Sequence, residues 1–79
     1  MIAYIKGKLT QKSPTDIIVE TASGVGYHIH ITLNTYHKIA NQSELKILTH
    51  FIVKEDSQTL YGFAEEEERH IFGLLISVS

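Results

Sequence analysis

Residues 25–33 alternate without a break: Val25, Tyr27, Ile29, Ile31 and Leu33 fall on one side, Gly26, His28, His30 and Thr32 on the other. A period of two is the signature of a strand with one buried and one wet face. The reading places Val25, Tyr27, Ile29 and Ile31 inward, with His28 and His30 facing out or toward a loop. Such a strand cannot stand alone, so the rest of the chain must supply partners for both its edges. Residues 2–12 supply a first strand around Ile2, Tyr4, Ile5 and Leu9, with Gly7 inside it marking a bulge or sharp bend. Ser13-Pro14-Thr15 is a turn, and residues 16–22 form a second strand carrying Ile17-Ile18-Val19. Ser23-Gly24 turns the chain again.

After the alternating segment, residues 34–40 read as one helical turn capped by Asn34. Asn41-Gln42-Ser43 is loop, and residues 45–54 and 57–63 are a fourth and a fifth strand. From Glu65 the period becomes helical: Ile71, Leu74, Leu75 and Val78 form a stripe that Phe72 and Ile76 widen. Glutamates 65 to 68 suit the positive end of that helix, and Glu65 and Arg69 are spaced for an i,i+4 ion pair. Short strands separated by Gly- and Pro-bearing turns, then one helix, give a mainly β fold. The expected architecture is a small Greek-key barrel of five or six strands, with the oligonucleotide-binding (OB) fold as the obvious candidate. The barrel spans 1–63 and the C-terminal helix 64–79, as one domain.

A chain of 79 residues has room for only that. A domain this small buries about 60% of its unfolded surface. With no cysteine, it forms neither a disulfide nor a thiolate metal site. Lys6, Gly7 and Lys8 interrupt the first apolar run too early for a signal peptide, and no run approaches the ~20 residues of a membrane helix. A soluble, cytoplasmic protein is expected. The net charge of −2 hides an asymmetry. Residues 1–54 set six lysines against Asp16, Glu20 and Glu44, while residues 55–79 set Glu55, Asp56 and four more glutamates against Arg69 alone. Proteins that bind nucleic acid over their whole surface are basic. Any DNA contact here must be local, or come from residues outside this chain.

The segment that carries a functional signal is the hairpin Thr49-His50-Phe51-Ile52-Val53-Lys54-Glu55-Asp56-Ser57-Gln58-Thr59-Leu60-Tyr61-Gly62-Phe63. Glu55 and Asp56 sit side by side where the chain must turn, so they project into water or toward a partner. From the residues alone the plainer reading is a solvated turn, since acidic residues favour turns for local backbone reasons. The second reading is a repulsive wedge: two carboxylates near a phosphate backbone hold strands off and select one DNA shape. Acid-base or Mg²⁺ chemistry is disfavoured, because an exposed tip lacks an enclosing pocket and separated environments. His28 and His30 share a strand face and could begin a metal site, with His37, His50 or Asp16 as further ligands. No spacing supports those additions, and a polar sheet face is the plainer account. Gly24-Val25-Gly26 lacks the third glycine and following helix of a phosphate loop, so it serves turn geometry and close strand approach. Tyr27 and Phe51 read as core, Tyr61 and Phe63 as packing near the helix, and no aromatic stands out as a base-stacking platform. No motif for ATP hydrolysis, no catalytic residue and no cofactor site is found.

The same hairpin, together with Met1-Ile2, Gly24-Val25-Gly26-Tyr27, Glu68-Arg69, Phe72 and Leu75-Ile76, resembles the N-terminal domain of the RuvA family. Members of that family bind four-way (Holliday) DNA junctions. The resemblance covers the whole chain and implies an OB-fold near the centre of a homotetramer on junction DNA. Glu55 and Asp56 then occupy the positions of an acidic pin. Lys54 falls at a position that is basic in the family, which implies a DNA contact beside the pin. The family continues with helix-hairpin-helix motifs that grip phosphates and a C-terminal domain that binds the RuvB motor ATPase, within an ATP-dependent helicase complex. Recombination, DNA repair and the SOS response are the implied setting. On this view the chain is an isolated first domain, non-catalytic, with weak or absent tetramerisation of its own. His28, His30 and residues 36–43 lie where the family varies, so no role carries over to them. The alternative is a structural or oligomerisation domain with little DNA binding of its own.

Overall fold

A computed structural model describes residues 2–77. Strand β1 (Tyr4–Lys12) bends at Ser13-Pro14-Thr15 into strand β2 (Asp16–Glu20), and a turn at residues 21–25 leads to strand β3 (Gly26–Ile31). Helix α1 (Leu33–Ile39) carries the chain to strand β4 (Glu44–Lys54), which turns directly into strand β5 (Ser57–Phe63) before helix α2 (Glu66–Ile76). The five strands close into a barrel in the order β1-β2-β3-β5-β4, with β4 returning to pair with β1. Every pairing is antiparallel except that of β3 with β5. Parallel neighbours need a crossover, and α1 with β4 provides it. The result is the Greek-key OB barrel that the strand pattern predicts, in which closure leaves no open edge in the barrel wall.

The period-two segments fill the interior. Ile17 and Val19 of β2, Ile29 of β3, Leu45 and Ile47 of β4 and Leu60 of β5 are all buried, with Ile5 and Ile39 completing the cluster. Two glycines set how closely the strands approach. A Cβ on Gly62 would stand 2.6 Å from Ile29 Cγ2 and 3.0 Å from Ile47 Cγ1, so β5 crosses the core on bare backbone. A Cβ on Gly7 would stand 2.2 Å from the backbone oxygen of Glu20. There β1 leaves its pairing with β4 and turns onto β2. The ladder irregularity itself falls between Leu9 and Gln11, at Thr10 rather than at Gly7.

Several expectations need correction. The alternating strand is shorter than its pattern: Val25 lies in the turn, 47% exposed, and Leu33 has already entered α1. Helix α1 starts before Asn34. Its cap is Thr32, whose hydroxyl accepts from the Thr35 amide at 3.1 Å. The β2 ladder ends at Glu20, two residues short of Ala22. Glu65 does not pair with Arg69: it pairs with Lys38, and Arg69 pairs with Glu66 at 2.8 Å. Most consequentially, α2 is rotated so that only part of its apolar stripe meets the barrel. Phe72 packs against Tyr61, Phe63 and His50 at ring-centroid distances of 5.0, 5.1 and 5.4 Å. Ile71, Leu74, Leu75 and Ile76 face solvent instead, and Val78 lies outside the described residues. Polar bonds fix this rotation. Glu68 accepts from the hydroxyls of Thr32 and Thr35 at 3.0 and 2.8 Å, and Arg69 donates to the Ala3 carbonyl at 2.9 Å. Residues 68, 69 and 72 share one helical face, so seating the first two seats Phe72 as well.

Candidate nucleic-acid interface

Strands β4 and β5 stay paired to the very end: Phe51 faces Leu60, Val53 faces Gln58 and Lys54 faces Ser57. Glu55 and Asp56 are left as a two-residue turn. The neighbours of the hairpin let go earlier. Pairing of β4 with β1 reaches only to Leu48, and pairing of β5 with β3 begins only at Leu60. The hairpin beyond Phe51 and Leu60 is therefore a free two-stranded ribbon that stands roughly 10–13 Å off the barrel at ~3.3 Å per residue. Residues 53–58 are all exposed, including Val53 at 61%.

Two-residue hairpin loops usually take mirror-image turns whose positive φ favours Asn and Gly. Among the described residues no non-glycine residue has positive φ. The tip is therefore built from two side-chain-bearing acidic residues in ordinary backbone conformations. The ion pairs among the described residues are His28–Asp16, Lys38–Glu65 and Arg69–Glu66, so neither tip carboxylate is neutralised by one. Lys54 is exposed one residue before the tip. The arrangement is a narrow rod ending in two negative charges without an ion-pair partner among the described residues, with one cation directly beside them. It has no enclosed space for catalysis, but it can push a phosphate backbone aside.

The other candidates lie elsewhere. His28 Nε2 is 2.6 Å from Asp16 Oδ2 on the outer face of β2 and β3, and the His28 and His30 rings lie 5.0 Å apart. Asp16 also accepts from the hydroxyls of Ser13 and Thr15 at 2.7 and 2.9 Å. The Ser13 hydrogen bond, then those from His28 and Thr15, hold the Asp16 carboxyl well below the usual carboxylate range. Asp16 is thus committed to closing the β1–β2 turn. Among the described residues no group of three or more His, Cys, Asp or Glu side chains is placed to hold a metal ion. His50 lies under Phe72 and His37 stacks beside Tyr36, far along the chain from the His28–Asp16 pair.

One gathering of charge is not evident from the linear sequence. The β1–β4 register sets Lys6 directly opposite Lys46, and Lys8 opposite Glu44. Lys6 and Lys8 share a strand face, which their spacing alone reveals, but Lys46 joins them only once the register is known.

Residues 1–62 match the family model described as the RuvA N terminal domain. The whole chain is 54% identical to a protein of Flavobacterium psychrophilum, 52% to one of Christiangramia forsetii and 51% to one of Staphylococcus haemolyticus. Each of these is named Holliday junction branch migration complex subunit RuvA, and the match covers 100% of this chain but 39–40% of each relative. The chain thus spans about two fifths of the length of the relatives it matches.

Proposed function

The chain belongs to the RuvA N-terminal domain family, and on that footing we propose that it is the non-catalytic, junction-facing domain of a Holliday junction branch migration complex in recombination and repair. Its task is to sort strands at the centre of a four-way junction. Glu55 and Asp56 act as the pin, and Lys54 contacts the backbone beside it. Residues 64–79 lead toward helix-hairpin-helix motifs, and the motor ATPase RuvB is engaged by a region further on. The whole protein works in the cytoplasm as a homotetramer. The observation that carries this reading is the free β4–β5 ribbon with its unpaired carboxylates, lying inside the matched segment. Charge of the same sign as the phosphates cannot raise affinity, so its value is selectivity.

The test is a protein of the relatives' full length carrying Glu55→Gln and Asp56→Asn. Binding to ordinary duplex should strengthen, and the preference for junction over duplex should fall by roughly tenfold, about 1.4 kcal/mol. Unchanged discrimination would overturn the pin reading. A second reading, in which the domain serves mainly subunit contact, is favoured by the exposed apolar face of α2 at Ile71, Leu74 and Leu75. Light scattering on the 79-residue chain decides it: a tight tetramer without DNA supports this reading, and a monomer counts against it.

A further inference from the structure

We propose that the β1–β4 face around Lys6 and Lys46 is a second anion site, one that takes a phosphate of a nucleic-acid strand. It lies far from the tip. Lys46 and Lys54 are eight residues apart on one strand, which is about 26 Å at ~3.3 Å per residue.

The first observation is the register. Lys6 and Lys46 are direct cross-strand partners, and both are exposed. Facing positions of an antiparallel pair put Cβ atoms about 5 Å apart, and like charges there are destabilising. Neither lysine has an ion pair among the described residues to offset that repulsion. An oxyanion between the two ammonium groups would relieve it.

The second observation is shape. Lys6, Gly7, Lys8, Leu45 and Lys46 line a cavity of about 680 Å³ where β1 turns from β4 onto β2. Gly7 contributes no side chain there, and the space its Cβ would need is taken by the Glu20 backbone, so β1 and β2 meet closely at the floor. The Lys46 ammonium lies 4.4 Å from the centroid of the half-exposed Tyr4 ring, which holds that cation over the face. Glu20 and Glu44 belong to the same lining and are the cross-strand partners of Lys8 on its two neighbouring strands. They set two negative charges against Lys6, Lys8 and Lys46, so the lining keeps a net positive charge. Their presence also limits the site to one or two phosphates.

Phosphate chemistry follows from the paired lysines, while the choice of nucleic acid over a free anion rests on the family reading. The experiment separates the two. Amide signals of the isotopically labelled 79-residue chain are followed by NMR during titration with a short oligothymidine and, separately, with inorganic pyrophosphate. The oligothymidine should shift Gly7 and Leu45. Lys6→Gln with Lys46→Gln should weaken it several-fold and flatten the salt dependence by about 1.4, from ~0.7 per lost contact on a single strand. The double variant should retain the barrel spectrum, since it removes a repulsion at an exposed pair. Shifts confined to the tip, or an unchanged affinity and salt slope, would overturn the proposal. Shifts with pyrophosphate alone would overturn the nucleic-acid assignment. None of these outcomes depends on Glu55 and Asp56, so failure here and failure of the pin reading are distinguishable.

Discussion

Ile29 and Gly62 touch in the core and respond to opposite errors. Ile29 is fully buried, so Ile29→Ala leaves a void and should cost ~2–5 kcal/mol. Gly62→Ala adds one carbon where Ile29 and Ile47 already fill the space, and overpacking of this kind costs about 1–3 kcal/mol. Urea denaturation of both variants checks the pair, and a neutral Gly62→Ala would mean the core yields more than its packing suggests. Asp16 adds a pH dependence. Its folded pKa lies below the unfolded value of 3.8, so its contribution is present above that pH and is lost as pH falls below it. Asp16→Asn should therefore lower Tm most at pH 5 and above, with the gap to the parent chain narrowing below about pH 4. Ile29 was legible from its alternation. The role of Gly62 was not, because the close approach depends on which strand lies across it. Glu55 and Asp56 were legible as a tip because a turn signal and two apolar flanks suffice to define one.

At the scale of elements, the two helices are joined by a polar bond rather than by apolar packing. Thr35 is fully buried, donates to Glu68 and accepts from the Ala64 amide at 3.2 Å. Glu68→Ala leaves that hydroxyl without its acceptor, at a cost of about 1–3 kcal/mol. The loss should be local: amide exchange across Glu66–Ile76 accelerates while the barrel amides stay protected. Uniform acceleration over barrel and helix would show that α2 unfolds only with the whole. This bond also explains why the helical period is legible in the sequence and the face that meets the barrel is not. An apolar stripe ordinarily faces its own domain, and here Glu68 and Arg69 claim that face through partners 20 or more residues away. The cap of α1 was misplaced for a related reason, since Thr32 is held from both sides by Thr35 and Glu68. Hairpin β4–β5, whose partners are adjacent in sequence, was read within one residue.

For the molecule as a whole, the separation of charge governs affinity. The acidic tip and the α2 glutamates repel phosphates, and the cations are few and scattered: Lys6, Lys8 and Lys46 where β1 meets β4, Lys54 beside the tip, Lys12 at the end of β1, and Lys38 and Arg69 on the helices. The 79-residue chain alone should bind four-way junctions near the non-specific range of ~10⁻⁴–10⁻⁶ M, with strong salt dependence. Fluorescence anisotropy at physiological salt measures this, and nanomolar, junction-selective binding would show that the barrel carries recognition by itself. Five strands, one terminal helix and a barrel could all be read from turns and periods. Closure of β4 onto β1 and the parallel β3–β5 contact could not, because residues close in sequence carry no record of the strands they meet at a distance.

That closure bears on how the domain forms in time. Tyr4 meets Leu48 and Ile29 meets Leu60, so the barrel cannot seal until β5, the last strand, is available. Barrels built on such distant pairings cross their folding barrier in about milliseconds to seconds, far slower than helical domains of this size. On the ribosome, where synthesis proceeds at roughly 5–20 residues per second, β1 waits for β4 with its apolar side uncovered. Its lysines at positions 6, 8 and 12 flank Gly7 and Leu9 through that interval and discourage one nascent strand from pairing with another.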